Sequence, residues 1–409
     1  MDFGLDSRTE ELQTELLDFM RVHVYPSEAV FAEQLADLGN RWAWDSAPIM
    51  GDLRAEARRR GLWNLFLPGD EGAGLTNVQY AVLAEISGRS PHLAPPAMNC
   101  AAPDTGNMEL LSMCGNQEQK EQWLRPLLAG EIRSSFAMTE PSVASSDATN
   151  IATSIVRDGD DYVINGRKWW ITGAMNPNAK IFIVMGKTDA AAERHRQQSM
   201  ILVERDTPGL EIHRALTVLG YDDHDHGGHA ELSFDDVRVP VGNLVGSEGD
   251  GFATAQKRLG PGRIHHCMRS IGVAERAIEL MCARADGRVA FGKPLSDQGT
   301  VRDWIAECRL RVEQLRLLVL KTAWLIDTAG VKASHAEIQA IKVATPLTVE
   351  WILDKAIQVH GAGGLSQDFP LAAMYASIRT LRFADGPDEV HKNGLARAEL
   401  RRQAAIRAG

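Results

Sequence analysis

The period of the apolar positions changes twice along this chain. Up to about residue 130, apolar residues recur at helical spacing. Ser7 and Glu10 form a capping-box pattern ahead of Leu12, Leu16, Leu17 and Met20, which share one helical face. A second helix runs toward Gly61, placed where a C-terminal stop is expected after three arginines. Further helical patterns cover about 76–86, 105–113 and 117–128. From about 131 to 245 the runs become short, β-branched and bounded by turn residues, at 151–156, 162–164, 181–185, 200–203 and 231–234. Asn165-Gly166 reads as a hairpin turn between two such runs. Beyond about 250 the helical period returns in longer segments. Val301, Ile305, Cys308, Val312, Leu315, Val319 and Ile326 fall at helical spacing, and helices this long pack most simply as a four-helix bundle. Pro346 is expected to kink or end one helix, and Gly260-Pro261-Gly262 to break another.

Composition narrows the picture. With 409 residues, 44% hydrophobic and 24% charged, the chain has the balance of a globular protein with room for two or three domains. A formal net charge of −10 argues against broad electrostatic binding of nucleic acid. No apolar run approaches the ~18 residues of a membrane span. Cys100, Cys114, Cys267, Cys282 and Cys308 are odd in number and form no C-x-x-C pair. They fit reduced thiols of a cytoplasmic protein better than zinc ligands or a disulfide framework. The acidic start M-D-F-G-L-D-S is unlike a signal or transit peptide.

Two segments carry the candidate chemistry. Phe136–Asp147 reads F-A-M-T-E-P-S-V-A-S-S-D, and Ile164–Ala174 reads I-N-G-R-K-W-W-I-T-G-A. A flavin ring is flat and apolar-faced with polar edges, so its site must offer an aromatic face and hydrogen-bonding groups. Trp169 and Trp170 offer the face; Thr139 and Thr172 offer hydroxyls.

These segments resemble the two flavin-binding segments of the acyl-CoA dehydrogenases. So do G-N-x-E-Q-K-E-x-W-L-x-P-L-L-x-G at 115–130, R-V-A-F-G-K at 288–293 and Q-V-H-G-A-G-G at 358–364, and together they cover essentially the whole chain. G-L-W-N-L-F-L-P, H-G-G-H, L-G-P-G-R-I-H-H-C-M-R and A-D-G-P-D-E-V-H further resemble vertebrate members whose dehydrogenase part follows a phosphotransferase-like kinase domain. This chain has no room for that kinase, which makes a stand-alone dehydrogenase the expectation. The implied fold is α+β: an N-terminal helical domain over 1–130, a β-barrel-like middle domain over 131–246 and a C-terminal four-helix bundle over 247–409.

The resemblance implies a role for each matching residue. Phe136, Met138 and Thr139 would hold the pyrimidine side of an FAD. Ser145 would lie beside its phosphates, and Ser146 would face the acyl-CoA. Trp170 would pack on the ring, and Thr172 would approach N5. Arg288 would reach the pyrophosphate of an FAD in a neighbouring subunit. Gln358 and Gly361 would lie along the adenosine half, with Pro387, Asp388 and Glu389 as further cofactor contacts. Gly260, Arg263 and Gly386 would line the acyl-CoA side. The first flavin segment carries one residue more than the usual T-E-P-x-x-G-S-D.

Taken alone, Asp385 before Gly386-Pro387 is a turn residue. The resemblance makes it the catalytic base, since F-A-D-G-P-D-E stands where most of the family has Y-E-G-T. Closing the site on an apolar acyl chain would desolvate the carboxylate and raise its pKa. The implied reaction is α,β-dehydrogenation of an acyl-CoA to a trans-2-enoyl-CoA, as in fatty-acid β-oxidation, with hydride transfer to flavin N5. Electrons would pass to an electron-transfer flavoprotein. A homodimer or homotetramer is expected, without nucleic-acid, membrane or metal partners. The branch resemblance points to medium-to-long, branched or 4-oxygenated acyl groups. Two other readings keep the fold: an oxidase resembling nitroalkane oxidase, and a non-catalytic binding protein. His224, His226 and His229 with Asp222, Asp223 and Asp225 lack a usual zinc spacing and read as a polar loop. His265 and His266 read as helix packing.

Overall fold

A computed structural model describes residues 3–408, apart from side-chain placement at 257 and 259–261. The chain forms two compact units, Met1–Tyr25 with Leu75–Pro95 and Arg263–Gly409, and Pro26–Gly74 with Pro96–Gly262.

The second unit is built on one mixed sheet. Its strands are β1 (Arg133–Ala137), β2 (Ser154–Asp158), β3 (Asp161–Thr172), β4 (Ala179–Lys187), β5 (Gln198–Glu204), β6 (Leu210–Leu216) and β7 (His229–Pro240). The order is β1-β4-β2-β3-β7-β6, with β5 on β4. β1 runs parallel to β4; β2 with β3, β3 with β7, β4 with β5 and β6 with β7 are antiparallel. Ile155, Ile164, Phe182, Val184, Ile201, Val203 and Leu232 are buried together on this sheet. Fully burying such a side chain contributes about 1.5–3 kcal/mol.

Local chemistry decided the details of β3. The hairpin turn predicted at Asn165-Gly166 is instead at Gly159, where φ is +64°, and β3 runs straight through Asn165-Gly166. A register shift against β7 falls between Ile164 and Gly166. Asn165 exchanges two hydrogen bonds with Asp236, at 2.9 and 2.8 Å. A Cβ at Gly166 would lie 2.4 Å from Thr153 Oγ1, so glycine is required there by close approach rather than by a turn. A second shift, between Lys168 and Ile171, leaves Trp170 at φ +56° with its side chain turned outward. Bulges of this kind re-aim side chains beside functional sites.

The first unit is helical. Its helices include Ser7–Phe19, Asn77–Gly88, Gly299–Ala329, His335–His360, Leu371–Thr380 and Asp388–Ala408, together with the Arg263-onward part of Gly251–Gly287. The cap of the first helix is Asp6, whose carboxylate accepts from the Thr9 N–H at 2.8 Å, one position before the expected Ser7. Val301, Cys308, Val312, Leu315 and Val319 are buried along one face, as their spacing predicts. Neither helix ends at these residues: one spans Gly251–Gly287, and Pro346 lies buried inside His335–His360. A single missing N–H does not end a helix whose face is held by packing on both sides of it. Among the described residues no helix is long and apolar enough to cross a membrane.

Candidate active site

In the second unit, β1 leads into the segment Phe136–Asp147. Its start is anchored by Asp104, which accepts from the Ser134 N–H at 2.7 Å and the Ser134 hydroxyl at 2.6 Å. Phe136 lies under the Arg258 guanidinium, 4.1 Å from the ring centre. Beyond the strand the chain is held by β3. Lys168 Nζ, fully buried, donates to the Met138 carbonyl at 2.9 Å and the Met185 carbonyl at 2.7 Å. It also pairs with Glu140 at 2.8 Å. Glu140 in turn accepts from the Ala152 and Thr153 N–H groups at 2.8 and 2.9 Å. Burial pushes the Lys168 ammonium down to about 8 against the pull of Glu140. Burial works to raise the Glu140 carboxyl, but Lys168 and the donors around it hold it below its ordinary value. The Trp169 N–H donates to the Thr139 carbonyl at 3.0 Å, closing the two segments against each other.

The two serines differ in setting. Ser145 Oγ accepts from the Glu140 N–H at 2.9 Å, whereas Ser146 is exposed. Trp170 is 40% exposed, and its ring lies 5.4 Å from that of His229. Thr172 Oγ1 is 3.0 Å from His229 Nδ1. In the loop from Asp222, His224 Nδ1 is 2.8 Å from Asp222, His226 Nδ1 is 3.0 Å from Asp223 Oδ1 and His229 Nε2 is 3.0 Å from Asp223 Oδ2. A large aromatic ring presented rather than buried, with a hydroxyl two residues on, fits the face and edge of an isoalloxazine.

The first unit holds the second group. Asp385 has φ +56°, a conformation aspartate tolerates better than most residues. Its carbonyl accepts from Arg263 Nε at 3.1 Å and faces His391 Nε2 at 3.2 Å. Its carboxylate lies 3.5 Å from His266 Nε2. Gly386 has φ +108°, and a Cβ there would lie 2.9 Å from His391 Nε2. Lys342 donates to the carbonyls of Leu381 and Gly386. Burial lowers the Arg263 pKa, and Asp385 opposes the shift. Asp388 is buried and bound to Arg382 at 2.7 Å, while Pro387 is half-buried and Glu389 exposed. Gln358 and Gly361, at the end of the helix His335–His360, are exposed. Arg288 is exposed at the foot of a small hairpin whose Val289 and Phe291 are 65% and 100% exposed. Gly260 lies outside the described residues.

Five residues of these surroundings escaped the sequence reading. His266 was assigned to packing; that description fits His265, which is buried edge-on to Tyr80 at 4.8 Å, and not its neighbour. Lys342 sits inside a helix with no local signal, and His391 closes the segment A-D-G-P-D-E-V-H without a sign of what its ring faces. Lys168 gave one: a lysine in the middle of an apolar strand demands a buried partner. His229 ends the segment H-G-G-H and starts β7, and nothing in that segment signals its contact with Thr172.

Comparison with known proteins agrees with this layout. The N-terminal, middle and C-terminal domain profiles of acyl-CoA dehydrogenases match residues 11–131, 135–237 and 249–400. The Mycobacterium tuberculosis protein named probable acyl-CoA dehydrogenase FadE2 is 53% identical over 98% of each chain. Acyl-CoA dehydrogenase family member 11 of Gallus gallus is 55% identical over 97% of this chain and 51% of its own, so this chain spans about half the length of that relative. A solved structure from Mycobacterium abscessus, 49% identical, superposes with a TM-score of 0.94 over 98% of this chain and 100% of its own. An acyl-CoA dehydrogenase from Geobacillus kaustophilus, 26% identical, does so at 0.80 over 96% and 98%. With all three domain profiles matched in order, the chain belongs to the acyl-CoA dehydrogenase family.

Proposed function

We propose that this protein dehydrogenates an acyl-CoA between Cα and Cβ, with Asp385 as the base that removes the α-proton. The observation that carries the proposal is the fixing of Asp385 by its backbone. Arg263 and His391 meet its carbonyl, which fixes the backbone from which the carboxylate would act. His266 Nε2 stands 3.5 Å from that carboxylate, where it would help to orient it. The α-proton of a thioester is weakly acidic, so the base has to be positioned before the proton moves. The two cations Arg263 and Lys342 keep the neighbourhood favourable to a carboxylate before reaction.

FAD is the cofactor of the family, and when bound it accepts the β-hydrogen with its two electrons. Phe136, Met138, Thr139 and Ser145 would hold it from β1 and the following turn, and Trp170 would cover the ring face. Thr172 would meet N5. Gln358, Gly361, Pro387, Asp388 and Glu389 would contact its other half. Ser146, Gly260, Arg263 and Gly386 would line the acyl-CoA. Arg288, on a hairpin with fully exposed Phe291, would reach the cofactor of a second copy. Exposed apolar residues at a hairpin tip support such an oligomer. The electrons would leave through an electron-transfer flavoprotein.

Stopped-flow mixing of the FAD-loaded protein with an acyl-CoA panel of differing length, branching and 4-oxygenation tests the reading. Bleaching of the flavin by at least one acyl-CoA is expected. Bleaching by nitroalkanes and by no acyl-CoA would overturn it in favour of an oxidase.

A further inference from the structure

Thr172 Oγ1 lies 3.0 Å from His229 Nδ1 in hydrogen-bond geometry, and His229 Nε2 lies 3.0 Å from Asp223 Oδ2 as a charge contact without that geometry. Asp223 places an acceptor-only carboxylate beside Nε2, and its charge favours the tautomer of His229 that carries the proton on that nitrogen. A neutral imidazole has one N–H, which leaves Nδ1 bare toward Thr172. The Thr172 hydroxyl then donates its single proton to Nδ1, and only lone pairs remain on its outer side. This arrangement is held from several directions. Asp223, at φ +52°, is also engaged by His226. The Gly173 and Met175 N–H groups donate to the Gly228 and Gly227 carbonyls at 2.8 and 3.0 Å, which ties this loop to the end of β3. The Trp170 ring lies against the imidazole.

We propose that His229 is a positioning residue that fixes Thr172 as a hydrogen-bond acceptor toward the bound flavin. The inference rests on the proposed meeting of Thr172 with flavin N5. Oxidised flavin presents a bare nitrogen at N5, and two-electron-reduced flavin presents an N–H. An acceptor-only hydroxyl matches the reduced form and leaves the oxidised form unmatched. His229, which need not touch the flavin, would thereby stabilise the reduced form relative to the oxidised one, raise the potential of the couple and so make the oxidised flavin a stronger oxidant of the acyl-CoA. Without Nδ1, the hydroxyl is free to turn and donate to oxidised N5.

Redox titration of the full-length FAD-loaded protein against an indicator dye at pH 8 tests this independently of turnover. His229→Phe keeps a ring beside Trp170 and removes the acceptor. It should shift the reduced-to-oxidised ratio at fixed potential about tenfold toward oxidised, a midpoint lower by ~30 mV for a two-electron couple. His229→Asn, which retains an acceptor, should recover most of that shift and serves if the phenylalanine variant does not fold. Thr172→Val should lower the potential alone and make His229→Phe or His229→Asn silent when combined with it. If Thr172→Val lowers the potential but neither His229 variant behaves as stated, the inference fails while the placement of Thr172 stands. If His229→Phe has the same effect with Thr172→Val as without it, His229 acts by packing and the inference fails. An unchanged potential in Thr172→Val itself would remove the placement of Thr172 at N5, and the inference with it.

Discussion

An aspartate base reaches one methylene less far than a glutamate, so its backbone has to come closer to the proton it removes. In the proposed role, the contacts of Arg263 and His391 with the Asp385 carbonyl, and the left-handed turn it makes with Gly386, would set how close that backbone comes. His391 belongs to this arrangement and gives it a pH dependence. Burial, with the charges of Arg263 and Lys342, pushes its imidazole from 6.5 down to about 4. The unfolded chain therefore binds this proton first as the pH falls. The stability is fully present above pH 6.5 and is lost between 6.5 and 4, on the order of 3 kcal/mol. Urea midpoints at pH 7 and pH 5 should separate more for the wild type than for His391→Gln; equal separations would contradict the assignment. Asp385 is singled out as a candidate by its motif. His266 is not, because nothing in H-H within a helix tells which of the two imidazoles faces a carboxylate more than 100 residues away.

At the scale of elements, the ends of β1 and β3 are held as one piece by Lys168 and Glu140. Removing one partner of a buried pair leaves the other charge uncompensated, at a cost of about 3–5 kcal/mol. Lys168→Met should therefore destabilise the protein by that order and weaken FAD retention, because the Met138 carbonyl loses its anchor. A gel-filtered variant with full flavin content and wild-type melting would contradict this. Gly166→Ala tests the corrected register. Its Cβ meets Thr153 within 2.4 Å, so a loss of about 1–3 kcal/mol is expected, whereas a true hairpin-turn glycine would have no such neighbour. The periodic segments were readable in advance, since buried faces repeat: Val301 to Val319 is the clear case. β1 and β6 were not picked out. The Asn-Gly signal misled because turn preference is local, while strand register is decided by the partner strand.

At the scale of the molecule, the two compact units divide the candidate residues between them. The β-sheet unit carries Phe136, Met138, Thr139, Ser145, Ser146, Trp170 and Thr172. The helical unit carries Arg263, Arg288, Gln358, Gly361 and the run from Asp385 to Glu389. Composition and net charge set only the class of protein; the assignment to a chemistry came from short segments far apart in sequence. The Arg288 hairpin bears on assembly. Sedimentation of wild type and Phe291→Asp should show an oligomer that dissociates in the variant, with loss of FAD; a wild-type monomer that holds FAD would remove the role of Arg288 across an interface.

The central claim is that Asp385 takes the α-proton. Single-turnover reduction of the FAD-loaded Asp385→Asn protein by the most reactive acyl-CoA tests it most directly, with flavin content and acyl-CoA binding measured alongside. Flavin bound as in the wild type, acyl-CoA still bound and reduction slowed by about 10²–10⁴-fold is the predicted result. Reduction at close to the wild-type rate would contradict the account.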